Sequence, residues 1–180
     1  MLCPALFLDR DGIINLDTGY VHRKEDFVFI DGIFSLVKTA CNLNYKTIVV
    51  TNQAGIGRGY YTEEQFNTLM SWVQANFRQK EAALDAVYYC PDHPDYGIGK
   101  YKCDSFMRKP KPGMLLKAAQ EHGIDLPASF MVGDSYKDIE AGKAAGVGFL
   151  FYMGSKHCPQ GARKVSHLGE IEFFLLNHQH

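Results

Sequence analysis

Ala5-Leu6-Phe7-Leu8-Asp9-Arg10-Asp11-Gly12 is the stretch on which the fold turns. Four apolar residues running straight into charge read as a short strand buried on both faces. Strands of that kind belong to parallel sheets covered by helices on either side. Two carboxylates follow at the strand end, and Gly12 lets the backbone turn sharply enough for both to face one point. Open parallel sheets bind ligands beyond the carboxyl ends of their strands, so this edge is where chemistry is expected.

The rest of the chain repeats the pattern. Short apolar runs at Thr47–Val50, Ala86–Tyr89, Phe130–Val132 and Val147–Tyr152 read as further strands. Helix-period segments lie between them. One begins at Thr62, whose hydroxyl and Gln65 have the spacing of a capping box, and Phe66, Leu69, Met70, Val73 and Phe77 follow on one face. Others are expected over Ile33–Leu43, from Pro112 to Gly123, over Lys137–Ala145 and over His167–Asn177. Alternating strands and helices predict an α/β chain with a three-layer, doubly wound parallel sheet. Residues 1–180 are expected to form a single domain, with long non-periodic loops at 12–30 and 91–111.

Composition narrows the function classes. With 46% hydrophobic residues and a net charge of −1, the chain carries no global basic field for nucleic acid or membrane surfaces. No stretch approaches the length of a membrane span, and residues 2–8 lack the features of an export signal. Five cysteines in no tight framework favour a reducing compartment, so a cytoplasmic location is expected. Nothing suggests an obligate interface, and a monomer is expected.

The predicted strand ends gather Asp9 and Asp11, Thr51-Asn52-Gln53, and Gly133-Asp134 with Asp138 one helical turn on. Arg108-Lys109-Pro110-Lys111 precedes the third long helix. Carboxylates this close repel and stay ionised only around a cation, and hard oxygen ligands suit Mg²⁺. Taken singly, each piece has an ordinary explanation. Asp-x-Asp-Gly is often a polar turn, Thr51 a strand-end hydroxyl, Lys109 a solvated charge and Asp134 a helix cap. A calcium loop fails because its fifth and twelfth positions would be Ile13 and Tyr20. Gly55-Ile56-Gly57-Arg58-Gly59 is neither a Walker loop nor a dinucleotide fingerprint.

In order along the chain, Asp9-x-Asp11-Gly12, Thr51, Lys109 and Gly133-Asp134 with Asp138 resemble the four motifs of the haloacid-dehalogenase (HAD) superfamily. More narrowly, Phe7–Asn15, Thr51–Gly59, Gly19-Tyr20-Val21 and Arg108–Met114 are similar to two subgroups. These are the D-glycero-D-manno-heptose bisphosphate phosphatases and the histidinol-phosphate phosphatases. The resemblance implies a HAD-like fold, and no segment is long enough for the large cap domain of some members. It implies Asp9 as nucleophile and Asp11 as general acid and base. Thr51 and Lys109 would steady the phosphoryl group. Mg²⁺ would be held by Asp9, the backbone carbonyl of Asp11, and Asp134. Asp138 would orient Lys109, with a surface helix carboxylate as the alternative.

Substrate choice would fall to loops, namely Asp17, Thr18, Gly19 and Tyr20, the turn with Asn52, Gln53 and Arg58, and Arg108. Five positive charges between Lys100 and Lys111, against Asp104 alone, would suit a doubly phosphorylated sugar or simply a solvated loop. Heptose 1,7-bisphosphate, losing its C7 phosphate on the route to lipopolysaccharide heptose, is the expected substrate. Histidinol phosphate or another small sugar phosphate is the rival. Both subgroups commonly carry a structural zinc ahead of Arg108. Here Cys90, His93 and Cys103 remain, Ser105 stands where a fourth ligand belongs, and Asp92 or Asp104 would have to complete a closed site. Two further readings stand apart: a non-catalytic binder of a phosphorylated ligand, and a zinc-dependent nucleic-acid module. The full set of catalytic-type residues opposes the first, and the broken cysteine spacing with neutral charge opposes the second.

Overall fold

A computed structural model describes residues 2–178. The elements run β1 (Ala5–Leu8), α1 (Ile33–Asn42), β2 (Lys46–Asn52), α2 (Ala54–Gly57), α3 (Glu63–Gln79), β3 (Ala86–Cys90), α4 (Gly113–His122), β4 (Phe130–Gly133), α5 (Tyr136–Ala145), β5 (Phe149–Tyr152), β6 (Arg163–Lys164) and α6 (Leu168–Asn177). Six strands make one parallel sheet in the order β3-β2-β1-β4-β5-β6. The strand that opens the chain therefore lies in the middle. Chain order reverses at the β1–β4 seam, where open sheets offer a crevice.

Alternation along each strand divides the core in two. Leu6, Leu8, Val49, Phe130, Val132 and Phe151 face a layer that includes α1, α3 and α6. Ala5, Phe7, Ile48, Val50, Met131 and Leu150 face α4 and α5. Both faces of β1 are thus sealed, as its four-residue apolar run predicts. Among the described residues no helix is long and apolar enough to cross a membrane.

The expected caps form. Thr62 Oγ1 accepts from the Gln65 amide at 3.1 Å, and Gln65 Oε1 accepts from the Thr62 amide at 2.9 Å. Gly123 and Gly146 close α4 and α5 in the left-handed conformation. Some boundaries differ from the sequence reading. β2 runs on through Thr51 and Asn52, whereas β5 begins only at Phe149. Val147 is instead occupied in ending α5, its amide donating to the Gly142 carbonyl at 2.9 Å. The two-residue β6 is exposed and has no apolar run, so periodicity gives no sign of it.

Candidate active site

Backbone geometry brings the strand-end carboxylates together. The Asp9 amide donates to the Val132 carbonyl at 3.0 Å, which fixes Asp9 at the β1–β4 seam. Gly12 has φ +83°, and a Cβ there would lie 2.1 Å from Asp134 Oδ2. The turn can close on Asp134 only without a side chain. Gly133 plays the same part toward Asp138, whose Cβ would meet an added methyl at 2.2 Å. Carboxylate oxygens of Asp9, Asp134 and Asp138 consequently lie within 4.8 Å of one another.

Lys109 is the counter-charge. Its ammonium, with the side chain only 2% exposed, reaches Asp9 Oδ1 at 2.9 Å, Asp138 Oδ1 at 2.5 Å and the Val50 carbonyl at 2.8 Å. All three donors are used. The backbone of Lys109 is pinned by Asn52, which donates to its carbonyl and accepts from its amide, each at 3.0 Å. Burial alone would lower the ammonium's pKa, but the charges of Asp138 and Asp9 outweigh it and raise it above the ordinary lysine value.

The acids respond differently. Burial first, and then the charge of Asp138, push Asp9 up to about 8. The same two causes in the same order, with Asp17 behind them, lift Asp134 to about 6. One lysine does not balance this group. Asp138 is already committed, with Oδ1 on Lys109 and Oδ2 accepting from the Ser135 amide at 3.0 Å. Asp9 and Asp134 are left as hard oxygen donors short of positive charge, a set that fits a divalent cation such as Mg²⁺.

Asp11 sits beside them in a polar collar. Its Oδ1 accepts from Arg10 Nη2 at 2.6 Å and from Asn15 Nδ2 at 3.0 Å, and its Oδ2 from Gln53 Nε2 at 3.0 Å. Gln53 also donates to Thr51 Oγ1 at 2.9 Å and accepts from the Tyr61 hydroxyl at 2.5 Å. Arg10, Asn15 and Tyr61 join the site although no motif in the sequence gives them a role of their own.

The carboxylates, Lys109, Gln53 and Tyr61 line a cavity of about 300 Å³. Of the expected residues, Asp9, Asp11, Asp17, Gly19, Tyr20, Asn52, Gln53, Arg108, Lys109, Asp134 and Asp138 stand on its wall. Three do not. Thr18 is exposed on an outer depression with Val21 and His22. Thr51 is 1% exposed and lies beneath Gln53, its hydroxyl accepting from that amide. The guanidinium of Arg58 lies 4.4 Å from the ring centre of Tyr96 rather than on the wall.

The basic loop is also mostly solvated. Lys111 pairs with Asp104 at 2.7 Å and Lys100 approaches Glu63 at 3.8 Å. Only Arg108 and Lys109 turn inward. A further cation comes from elsewhere: Lys137, on the first turn of α5, stands on the wall with Arg108. Burial, and after it the Arg108 charge, hold the Lys137 ammonium below its usual range.

Cys90, His93 and Cys103 do not converge as a zinc ligand set among the described residues. Among the described residues the only cluster of at least three His, Cys, Asp or Glu ligand atoms is Asp9, Asp134 and Asp138. Cys90 is buried with Sγ 3.8 Å from Asp92 Oδ2, while Cys103 is exposed. His93 Nδ1 accepts from the amides of Asp95 and Tyr96, each at 3.2 Å. Arg108 enters this loop instead, donating to the Asp92 carbonyl at 3.0 Å. Glu63 anchors the outer side by accepting from the hydroxyls of Tyr101 at 2.5 Å and Tyr89 at 2.7 Å. Cys103→Ser is therefore expected to shift unfolding stability by no more than about 0.5 kcal/mol. A larger loss in urea denaturation, together with stoichiometric zinc in the purified protein, would show that the loop closes on metal.

A family model described as HAD-hydrolase-like matches residues 106–171. The chain is 57% identical over 162 residues to the D-glycero-alpha-D-manno-heptose-1,7-bisphosphate 7-phosphatase of Burkholderia mallei, covering 90% of this chain and 84% of that protein. It is 49% identical over 148 residues to the D-glycero-beta-D-manno-heptose-1,7-bisphosphate 7-phosphatase of Vibrio cholerae, covering 82% and 80%. Among solved structures, a D,D-heptose 1,7-bisphosphate phosphatase from B. bronchiseptica, complexed with magnesium and phosphate, superposes with a TM-score of 0.85 at 26% identity. That match covers 97% of this chain and 98% of the other.

Proposed function

The chain belongs to the heptose-1,7-bisphosphate 7-phosphatase family of HAD-type phosphatases, and on that premise we propose that it removes the C7 phosphate of D-glycero-D-manno-heptose 1,7-bisphosphate. Asp9 attacks phosphorus and becomes an aspartyl-phosphate. Asp11 gives its proton to the departing sugar oxygen, then takes one from the water that hydrolyses the intermediate. Lys109 offsets charge on the phosphoryl oxygens, and Asp138 aims Lys109. Asp9, the backbone carbonyl of Asp11, and Asp134 would hold Mg²⁺, which when bound neutralises the carboxylates and the phosphate dianion they face. Thr51 supports the phosphoryl pocket through Gln53. Single-domain action in the cytoplasm, as a monomer and on the route to lipopolysaccharide heptose, completes the reading.

The observation that carries the substrate is the division of charge around the cavity. Carboxylates and Lys109 occupy its floor, while Arg108 and Lys137 stand on the wall as further cations. Neither of these two makes an ion pair with an acid among the described residues. A substrate with a second phosphate answers that surplus. A phosphate-release panel with Mg²⁺ and with EDTA is the test. The bisphosphate should give the highest kcat/KM, heptose 1-phosphate should be the product, and EDTA should abolish turnover. Greater efficiency on histidinol phosphate would replace the proposed substrate.

Two details follow. The relative at 57% identity is named for the alpha anomer and relatives at 45–49% for the beta, so the α-bisphosphate is the anomer proposed. Both anomers belong in the panel. Lys137→Ala should raise KM for the bisphosphate about tenfold, the worth of one charge-assisted hydrogen bond, and leave KM for a monophosphate almost unchanged. Equal changes on both substrates would remove Lys137 from recognition of the second phosphate.

A further inference from the structure

Arginine is almost never fully buried unless paired. Arg10, between the two catalytic carboxylates in sequence, is 0% exposed. Its guanidinium lies 5.6 Å from the ring centre of Phe66. Nε and Nη2 both donate to Asp11 Oδ1, at 3.2 and 2.6 Å. Nη2 also donates to the Val21 carbonyl at 2.7 Å. This is not the usual two-on-two fork, in which each carboxylate oxygen takes one guanidinium donor. Here one oxygen takes both.

Asn15 Nδ2 adds a third donor to that oxygen at 3.0 Å. A carboxylate oxygen has about two lone-pair directions, so Oδ1 is saturated. Oδ2 accepts from Gln53 Nε2 alone, at 3.0 Å. The Asp11 carboxylate fixes the Gln53 amide, because turning it around would set Oε1 against Oδ2, while the hydroxyls of Tyr61 and Thr51 could serve either end. One lone pair of Oδ2 is left for a reacting group, and Asp11 stands on the cavity wall with its side chain 23% exposed.

We propose that Arg10 is a positioning residue for proton transfer, occupying Asp11 Oδ1 together with Asn15 so that Oδ2 serves the leaving group. The proposal rests on the phosphatase reading and deepens it. In the first half-reaction an Asp9 oxygen bonds to phosphorus as the bond from phosphorus to the sugar oxygen breaks. That oxygen keeps the electron pair and takes the proton from Asp11 Oδ2. In the second half water bonds to phosphorus, its proton returns to Oδ2, and the Asp9–phosphorus bond breaks to free the carboxylate and inorganic phosphate. An arginine serving packing alone has no need of this arrangement. Its Nη1 is buried without a hydrogen-bond partner, a cost that an apolar side chain over Phe66 would avoid.

Rapid-mix kinetics on Arg10→Lys and Asn15→Ala, with two substrates, separate positioning from packing. An alkyl phosphate needs a proton on its leaving oxygen, whereas p-nitrophenyl phosphate does not. For Arg10→Lys, phosphorylation by the alkyl phosphate should slow about 100-fold with KM nearly unchanged. The p-nitrophenolate burst should persist at close to the wild-type rate. Asn15→Ala should show the same contrast at about tenfold, and it decides the matter if circular dichroism shows Arg10→Lys unfolded. Equal slowing with both substrates in a folded variant overturns the proposal. Asp9→Asn is the control for the reading beneath it: a burst in that variant would mean that the aspartyl-phosphate mechanism fails, whatever Arg10 does.

Discussion

Asp9→Asn is expected to abolish turnover, by on the order of 10⁵-fold or more, as removal of a covalent nucleophile does elsewhere. The fold should survive. Asparagine fills the same volume, can still accept from Lys109, and Lys109 keeps Asp138 and the Val50 carbonyl. In the metal-free protein the exchange should even help at higher pH. The carboxyl of Asp9 is raised by burial from 3.8 to about 8, so the folded state holds a proton that the unfolded state has lost across that range. Wild-type stability accordingly falls as pH rises from about 4 toward 8, and the asparagine variant escapes that slope. Denaturation in EDTA at pH 5 and pH 8 gives the sign, with the variant gaining on the wild type at pH 8. Magnesium should reverse the order by stabilising the wild type more. Retained turnover in the variant would remove the nucleophile assignment.

Much of this arrangement was legible in the residues. Apolar runs ending in charge located the strands, because a strand sealed on both faces must be apolar along its length. The capping-box spacing at Thr62 and Gln65 located α3, because its reciprocal bonds are local. Strand-end residues located the site, because topology alone brings the ends of β1, β2 and β4 together. Residues whose role depends on which way a side chain turns were not legible. Nothing in the sequence marks Arg10 for burial against Phe66 and the Val21 carbonyl. Lys137 is one lysine among many until α5 starts beside the cavity, and Tyr61 is one apolar residue until its hydroxyl meets Gln53. Lys100, Lys102 and Lys111 mislead in the opposite direction. Their density in sequence suggests a basic wall, but the loop turns them away and leaves Arg108 and Lys109 inside.

The two glycines explain why so few residues suffice. Gly12 and Gly133 leave no space for a Cβ between themselves and Asp134 or Asp138. The acids are therefore forced close by the backbone, and electrostatics has to accommodate them. Lys109 supplies one charge, and the remaining deficit makes the pocket receptive to a cation. The chemistry of the site is a consequence of that crowding.

Lys109→Met tests the crowding directly. The ammonium is buried with three acceptors, and methionine has nearly its shape without the charge. Removing one member of a buried ion pair leaves the other uncompensated, a loss of about 3–5 kcal/mol. Asp138 should suffer most, since its side chain is 1% exposed and its Oδ1 would lose the partner at 2.5 Å. Because the folded-state pKa of Lys109 lies above the ordinary value of 10.5, its contribution is complete at neutral pH and fades only above that value. The comparison can thus be made at pH 7. Turnover should fall by about 10²–10³-fold as well, the usual cost of losing a preorganised charge on a reacting oxygen. Adding Asp138→Asn separates the two effects. The double variant keeps an acceptor for the Ser135 amide without a stranded charge, so stability should recover in part while activity does not. Urea denaturation in EDTA reads the first and phosphate release reads the second. A single variant within 1 kcal/mol of wild type would mean that Asp9 and Asp138 share a proton when Lys109 is absent, and that the lysine is kept for the phosphoryl group alone.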